Sequence, residues 1–238
     1  MAGALLEVDG LTKRFGGFMA LNRVTIHVNP GERFGLIGPN GSGKTTLINC
    51  VSGSLPADGG RIVFEGHDIT SMPAHRRTRL GIVRSFQIPK PFRSMTVLEN
   101  LGIPLENAAH GRAAEGAGAM EILGTIGLAS KAHLRPAGLT QIEMRKLELA
   151  RAMAARPKLL ISDEAMAGLS SAEVDDILTI LFRLSAQGIT IIMIEHIMRA
   201  VMRFSERIVV LDAGERIAEA TPDEIGRNPA VEKAYLGE

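Results

Sequence analysis

The run GPNGSGKTT, residues 38–46, satisfies the spacing GxxxxGK[ST] of a loop that cradles phosphate. It consists of Gly38, Pro39, Asn40, Gly41, Ser42, Gly43, Lys44, Thr45 and Thr46. Gly41 and Gly43 let successive backbone N–H groups converge on one phosphate at a helix N-terminus, where the peptide dipoles also favour negative charge. Lys44 then reaches the outer phosphates of a nucleotide, and the Thr45 hydroxyl is placed to ligate Mg2+. A second cluster is LLISDEAMAGL, residues 159–169, in which an apolar run ends in Asp163 and Glu164. An acidic pair after a strand is often a solvated turn. Beside a phosphate loop, Asp163 can hold Mg2+ through its water shell and Glu164 can polarise a water aimed at the terminal phosphate. His196, just past the β-branched run of IIMIEHIM, can donate a hydrogen bond to that phosphate. Gln87, in RSFQIP, is an amide after a short strand that either touches metal and water or caps a turn.

These residues need a scaffold that brings four distant segments together, and the pattern supplies one. Residues 22–29 alternate apolar Val24, Ile26 and Val28 with polar neighbours, a strand with one buried face. Asn29-Pro30-Gly31 is a turn, and the apolar residues 33–37 form a strand that delivers the phosphate loop. Residues 61–65 read as a further strand. From about residue 96 to 156 the pattern is helical, interrupted by the Ala/Gly-rich residues 108–119, which read as a flexible connection, and ended by Pro157. Short apolar runs at 158–162, 190–194 and 207–211, separated by helical stretches, predict buried parallel strands of an α/β core.

Composition narrows the classes. The 238 residues suit one large domain, with 27 basic against 26 acidic side chains, a balance that disfavours a dedicated nucleic-acid binder. The single cysteine, Cys50, allows no internal disulfide and fits a reducing compartment. No run reaches the ~18 apolar residues that span a bilayer, and the N-terminal MAGALLEVDG does not read as a signal peptide. The expectation is a cytoplasmic protein that reaches a membrane only through partners.

Taken in order, Phe15, the phosphate loop, Gln87, a helix containing ELARAM, LLISDE and IEHIM resemble the nucleotide-binding subunit of an ATP-binding cassette (ABC) transporter over essentially the whole chain. The resemblance implies an α/β fold of the P-loop NTPase, ABC type: a mixed RecA-like core, an N-terminal antiparallel β subdomain and a helical subdomain. It implies one domain over 1–238, with 1–87 and 157–238 as core and about 88–156 as the helical part. ATP and Mg2+ are the implied cofactors. By position Phe15 is the adenine-stacking aromatic, Gln87 the Q-loop glutamine, Asp163 the Walker B aspartate, Glu164 the catalytic glutamate and His196 the switch histidine; where the family usually has proline, Ala165 follows. The segments RFGGFMALNRV, RSFQIPKPF, DEAMAGL, VVLDAGERIAEATPDEI and AYLGE resemble, more narrowly, branched-chain amino acid import ATPases of the "G" type. Such subunits imply two transmembrane permease subunits, a second ABC ATPase and, indirectly, a periplasmic or extracellular solute-binding protein.

One segment departs from the family. Its signature, Leu-Ser-Gly-Gly-Gln, falls here on Leu139, Thr140, Gln141, Ile142 and Glu143. Thr140 and Glu143 have the spacing of a helix capping box, sufficient for a purely structural role. Lost are the glycines that let a partner's phosphate approach the helix end. Ile142 obstructs that path if it faces the nucleotide and is harmless if it turns inward, while Glu143 brings a negative charge. The expectation is an asymmetric pair with one poorly active site. Two other classes compete: a soluble ABC ATPase of DNA repair or translation, and a nucleotide-binding module with vestigial hydrolysis. The first usually carries coiled-coil insertions or two cassettes, which 238 residues do not show; intact Glu164 and His196 argue against the second.

Overall fold

A computed structural model describes residues 3–86, 89–108 and 116–236. Strands β1 (Leu6–Phe15), β2 (Phe18–Val28), β4 (Gly59–Phe64) and β5 (His67–Asp68) form an antiparallel sheet in the order β2-β1-β4-β5. A second sheet has the order β10-β9-β3-β8-β7-β6 and is built from β3 (Arg33–Ile37), β6 (Ile82–Ser85), β7 (Leu159–Asp163), β8 (Thr190–Ile194), β9 (Arg207–Asp212) and β10 (Glu215–Ala220). Its strands are parallel except β10, which turns back on β9.

The parallel strands are apolar throughout because both faces are covered. Alternate residues serve different cores. Leu159, Ile161, Ile192, Ile194, Val209 and Leu211 pack toward the antiparallel sheet and helix α1 (Lys44–Ser52), with Leu6, Val24, Leu47 and Ile48. Leu160, Ile191, Met193, Ile208 and Val210 pack on the other side, against helices α5 (Gln141–Ala154), α6 (Ser171–Ala186) and α7 (Met198–Phe204). Burying each such side chain contributes about 1.5–3 kcal/mol, so the sheet carrying the site is the rigid centre of the molecule.

Between β6 and β7 the chain makes α3 (Glu99–Ala108), α4 (Gly116–Ile126) and α5, with Leu101, Leu123 and Leu147 packed together. Helix α2 (Ala74–Leu80) precedes β6, and the chain ends in α8 (Pro222–Ile225) and α9 (Pro229–Leu236).

Several sequence expectations shift. The stretch 108–119 is not simply a flexible connection: its residues 116–119 begin α4, and residues 109–115 lie outside the described residues. Alanine has the highest intrinsic helix propensity, and Leu123 and Ile126 anchor this helix to the core. Helix α3 is regular from Glu99, and the turn before it is capped at residue 96: Thr96 accepts from the Glu99 N–H and the Glu99 carboxylate accepts from the Thr96 N–H. The strand expected at 22–29 runs over Phe18–Val28, and β1 had no reading of its own, its alternation being broken by register shifts between Val8 and Arg14. The strand expected at 158–162 lies one residue later, which makes Asp163 its last residue.

Candidate functional site

The phosphate loop follows β3 directly, and α1 begins at Lys44. Gly38 has φ 149° and Gly43 φ 103°. A Cβ on Gly38 would stand 2.0 Å from the Leu211 carbonyl oxygen, and one on Gly43 would stand 2.7 Å from the Ala20 carbonyl oxygen. Only glycine fits either place. The Lys44 ammonium donates to the carbonyls of Gly38 at 2.7 Å and Pro39 at 2.9 Å, folded over its own loop. Burial holds its pKa below the usual lysine value, while the negative charges of Glu164 and Asp163 act in the opposite sense. A phosphate would offer this ammonium a charged partner in place of two neutral carbonyls.

One open cleft of about 250 Å³ is lined by Phe15, Phe18 and Ala20, by loop residues Asn40 to Thr46, and by Glu164 and His196. The antiparallel sheet contributes the aromatic wall: Phe15 and Phe18 pair across the β1–β2 turn and are 50% and 63% exposed. Glu164 follows the last residue of β7 with φ 48°, a left-handed backbone held by its N–H on the Ile194 carbonyl at 2.9 Å. A non-glycine residue in that region is strained, and such strain concentrates where a side chain must be aimed. The Glu164 Oε1 lies 3.0 Å from His196 Nε2. This pair offers a carboxylate to take a proton from water beside an imidazole that holds it in place.

Asp163 is buried next to Glu164, and Arg84 donates to its Oδ2 through both Nε (3.1 Å) and Nη2, while Arg84 Nη1 donates to Asn49 Oδ1 at 2.6 Å. The fork ties β6, β7 and α1 together and fixes the carboxylate. Glu195 is buried too; its Oε1 accepts the Met166 N–H at 2.9 Å. Desolvation pushes its pKa up to about 7, despite that hydrogen bond, and the nearby charges of Glu164 and Asp163 add to the rise.

The structure thus brings Phe15, the phosphate loop, Glu164 and His196 together around one cleft, with Asp163 buried beside Glu164. Gln87 lies outside the described residues. Thr140, Gln141, Ile142 and Glu143 do not line this cleft. They form the start of α5, where the Thr140–Glu143 capping box is complete. Ile142 is half-buried and packs against the helical core, and Lys131 takes the Glu143 carboxylate at 2.6 Å. That ammonium, followed by the Thr140 N–H, holds Glu143 below the usual carboxylate pKa. Sequence reasoning missed Phe18, Arg84 and Glu195. Phe18 had a signal, as the mirror of Phe15 across two glycines; the other two depend on contacts between distant segments.

A phosphate loop after a central strand of a parallel sheet, an acidic pair at the end of the next strand but one and an aromatic wall from a second sheet define a nucleotide-binding ATPase cassette. The family model "ABC transporter" matches residues 21–167, and that for "Branched-chain amino acid ATP-binding cassette transporter" matches residues 215–238. The chain belongs to the ABC transporter family of ATP-binding proteins. It is 39% identical, over 100% of both chains, to the high-affinity branched-chain amino acid transport ATP-binding protein BraF of Pseudomonas aeruginosa. It is 38% identical, again over 100% of both, to LivG of Escherichia coli, which carries the same description. Among solved structures, the ADP conformation of MJ1267, an ATP-binding cassette of an ABC transporter, superposes with a TM-score of 0.90 at 36% identity, covering 99% of this chain and 100% of that one. The dimeric post-hydrolysis cassette MJ0796, bound to ADP and Pi, gives 0.82 at 25% identity, covering 91% of this chain and 98% of that one.

Proposed function

We propose that this chain is the ATP-hydrolysing subunit of an importer for branched-chain amino acids or related small polar solutes, acting on the inner face of the plasma membrane. The observation that carries the hydrolytic part is the Glu164–His196 pair at 3.0 Å in the same cleft as the phosphate loop. The solute class comes from full-length similarity to BraF and LivG, and from the C-terminal match at residues 215–238.

In this reading Phe15 and Phe18 flank the base, and the N–H groups of Gly41 to Thr46 receive the phosphates. Lys44 exchanges its two loop carbonyls for the outer phosphates. Glu164 accepts a proton from the attacking water, and His196 holds the carboxylate and the terminal phosphate in register. The residues present fit Mg2+: Thr45 and Asp163, with Gln87, would hold it, the donors being oxygen atoms as a hard cation requires. When bound it neutralises charge developing on the phosphates.

The helical part, about residues 88–156, serves as the subdomain that meets the membrane. A groove of about 200 Å³ between it and β6 is lined by Val83, Phe86, Phe92, Ile103, Glu148 and Arg151, with Phe86 49% and Phe92 38% exposed. Two permease subunits would each seat an intracellular segment in such a groove. A second ATPase would face the cleft with its own signature helix, a pairing in keeping with the dimeric state of the cassette MJ0796, and a solute-binding protein would act on the far side. At the partner's site, Ile142 packs inward and Lys131 neutralises Glu143. The steric reason for an impaired site is therefore weak, and both sites are proposed to turn over.

Gentle detergent extraction of the tagged chain at native level tests the assembly. Recovery with two permease-type subunits and a second ATPase is expected. Recovery with soluble partners alone would redirect the assignment to a soluble ATPase.

A further inference from the structure

The C-terminal helix reaches the phosphate loop through Tyr235. Tyr235, the only tyrosine in a chain without tryptophan, stands on α9, which is anchored by buried Val231. Its hydroxyl accepts the Gly38 N–H at 2.9 Å. Gly38 lies one residue past the last paired position of β3, Ile37 with Val210, so its N–H stands beyond the ladder. Its carbonyl takes the Lys44 ammonium at 2.7 Å. One peptide segment thus separates the tail's hydroxyl from the lysine that must swing to phosphate.

We propose that Tyr235 is a positioning residue for nucleotide binding: its hydroxyl fixes Gly38, the hinge of the phosphate loop, in the shape that receives phosphate. The inference rests on reading residues 38–46 as the nucleotide loop. The Gly38 N–H and the Gly38 carbonyl belong to different peptide groups, the second ending in Pro39, so Lys44 and Tyr235 hold the two sides of one residue independently. Loss of the hydroxyl forfeits one bond and frees a loop whose ordering the nucleotide must then supply. Preorganisation of the loop by the tail therefore favours binding.

The test is the equilibrium affinity of the full-length chain for a fluorescent ATP analogue, with Tyr235→Phe, Tyr235→Ala and Lys44→Ala beside the wild type. Tyr235→Phe keeps the ring, so it isolates the hydroxyl. It should weaken binding about three- to tenfold, the range of one hydrogen bond, and most of the Tyr235→Ala loss should already be present in it. Nucleotide added to the wild type should also change the emission of this lone tyrosine. Affinity of Tyr235→Phe within twofold of wild type, with only Tyr235→Ala impaired or with lowered melting temperature alone, overturns the proposal, because packing would then be the tail's whole role. Lys44→Ala binding as tightly as wild type overturns the phosphate-loop reading, and this inference with it.

Discussion

At the scale of the residue, the site works by pairs that burial makes unequal. Glu164 stands at the mouth of the cleft, half-covered and next to His196, whereas Glu195 is buried and its pKa is pushed up to about 7. Exchanging Glu164 for Gln keeps the shape and removes the base. The variant should bind ATP at wild-type affinity while turnover in the assembled complex falls at least about a hundredfold, the upper range for a general base being about 10⁴. Single-turnover assays and nucleotide titration separate the two effects. For Glu195 the sign follows from its raised pKa. The folded protein keeps a proton that the unfolded chain loses near 4.5, so the stability this gives is complete below about pH 4.5 and is lost as pH rises through about 7. Glu195→Gln retains an acceptor for the Met166 N–H and cannot ionise. It should therefore stabilise the nucleotide-free protein at pH 8 by about 1–3 kcal/mol and leave it nearly unchanged at pH 4.5, read from thermal melts at both values. The phosphate loop and Asp163-Glu164 were legible in the sequence because their chemistry is set by adjacent residues. Glu195 was not, although it adjoins His196: its role depends on the Met166 N–H, 29 residues away.

At the scale of the element, helix ends and strand ends decide what each motif can do. Helix α5 keeps its family position yet closes its N-terminus on itself, with Thr140, Glu143 and Lys131 forming a local network. The capping box was readable at its i, i+3 spacing. The inward packing of Ile142 was not, since sequence leaves open which side of a half-exposed helix end meets the core. Replacing Ile142 by Gly removes a packed side chain and raises the helix entropy cost. Stability should fall by about 2 kcal/mol, with less than a twofold gain in ATP turnover of the complex. A several-fold gain would show that Ile142 obstructs the partner's nucleotide after all. On β6, Arg84 answers a buried carboxylate from 79 residues away. Arg84→Ala strands Asp163 uncompensated and should cost about 3–5 kcal/mol in chemical denaturation, more than an exposed ion pair would.

At the scale of the whole molecule, the two sheets divide the labour. The parallel sheet carries the loop, the acidic pair and His196 on neighbouring strand ends, and the antiparallel sheet swings its aromatic turn over them. The apolar runs predicted the parallel strands, because burial on both faces leaves an unbroken apolar signature. They could not predict β1, whose alternation is broken, or the Tyr235 hydroxyl on Gly38, which joins residues 197 apart. Among the described residues no helix is long and apolar enough to cross a membrane; in the proposed importer the exposed Phe86 and Phe92 mark where a permease segment would sit. The most direct measurement is uptake of radiolabelled leucine by proteoliposomes that hold the copurified complex, with its binding protein and the solute outside and ATP trapped within. The account predicts leucine accumulation that depends on internal ATP and disappears with Glu164→Gln in this chain. Accumulation unaffected by that substitution, or ATP hydrolysis without uptake of any branched-chain amino acid, would contradict it.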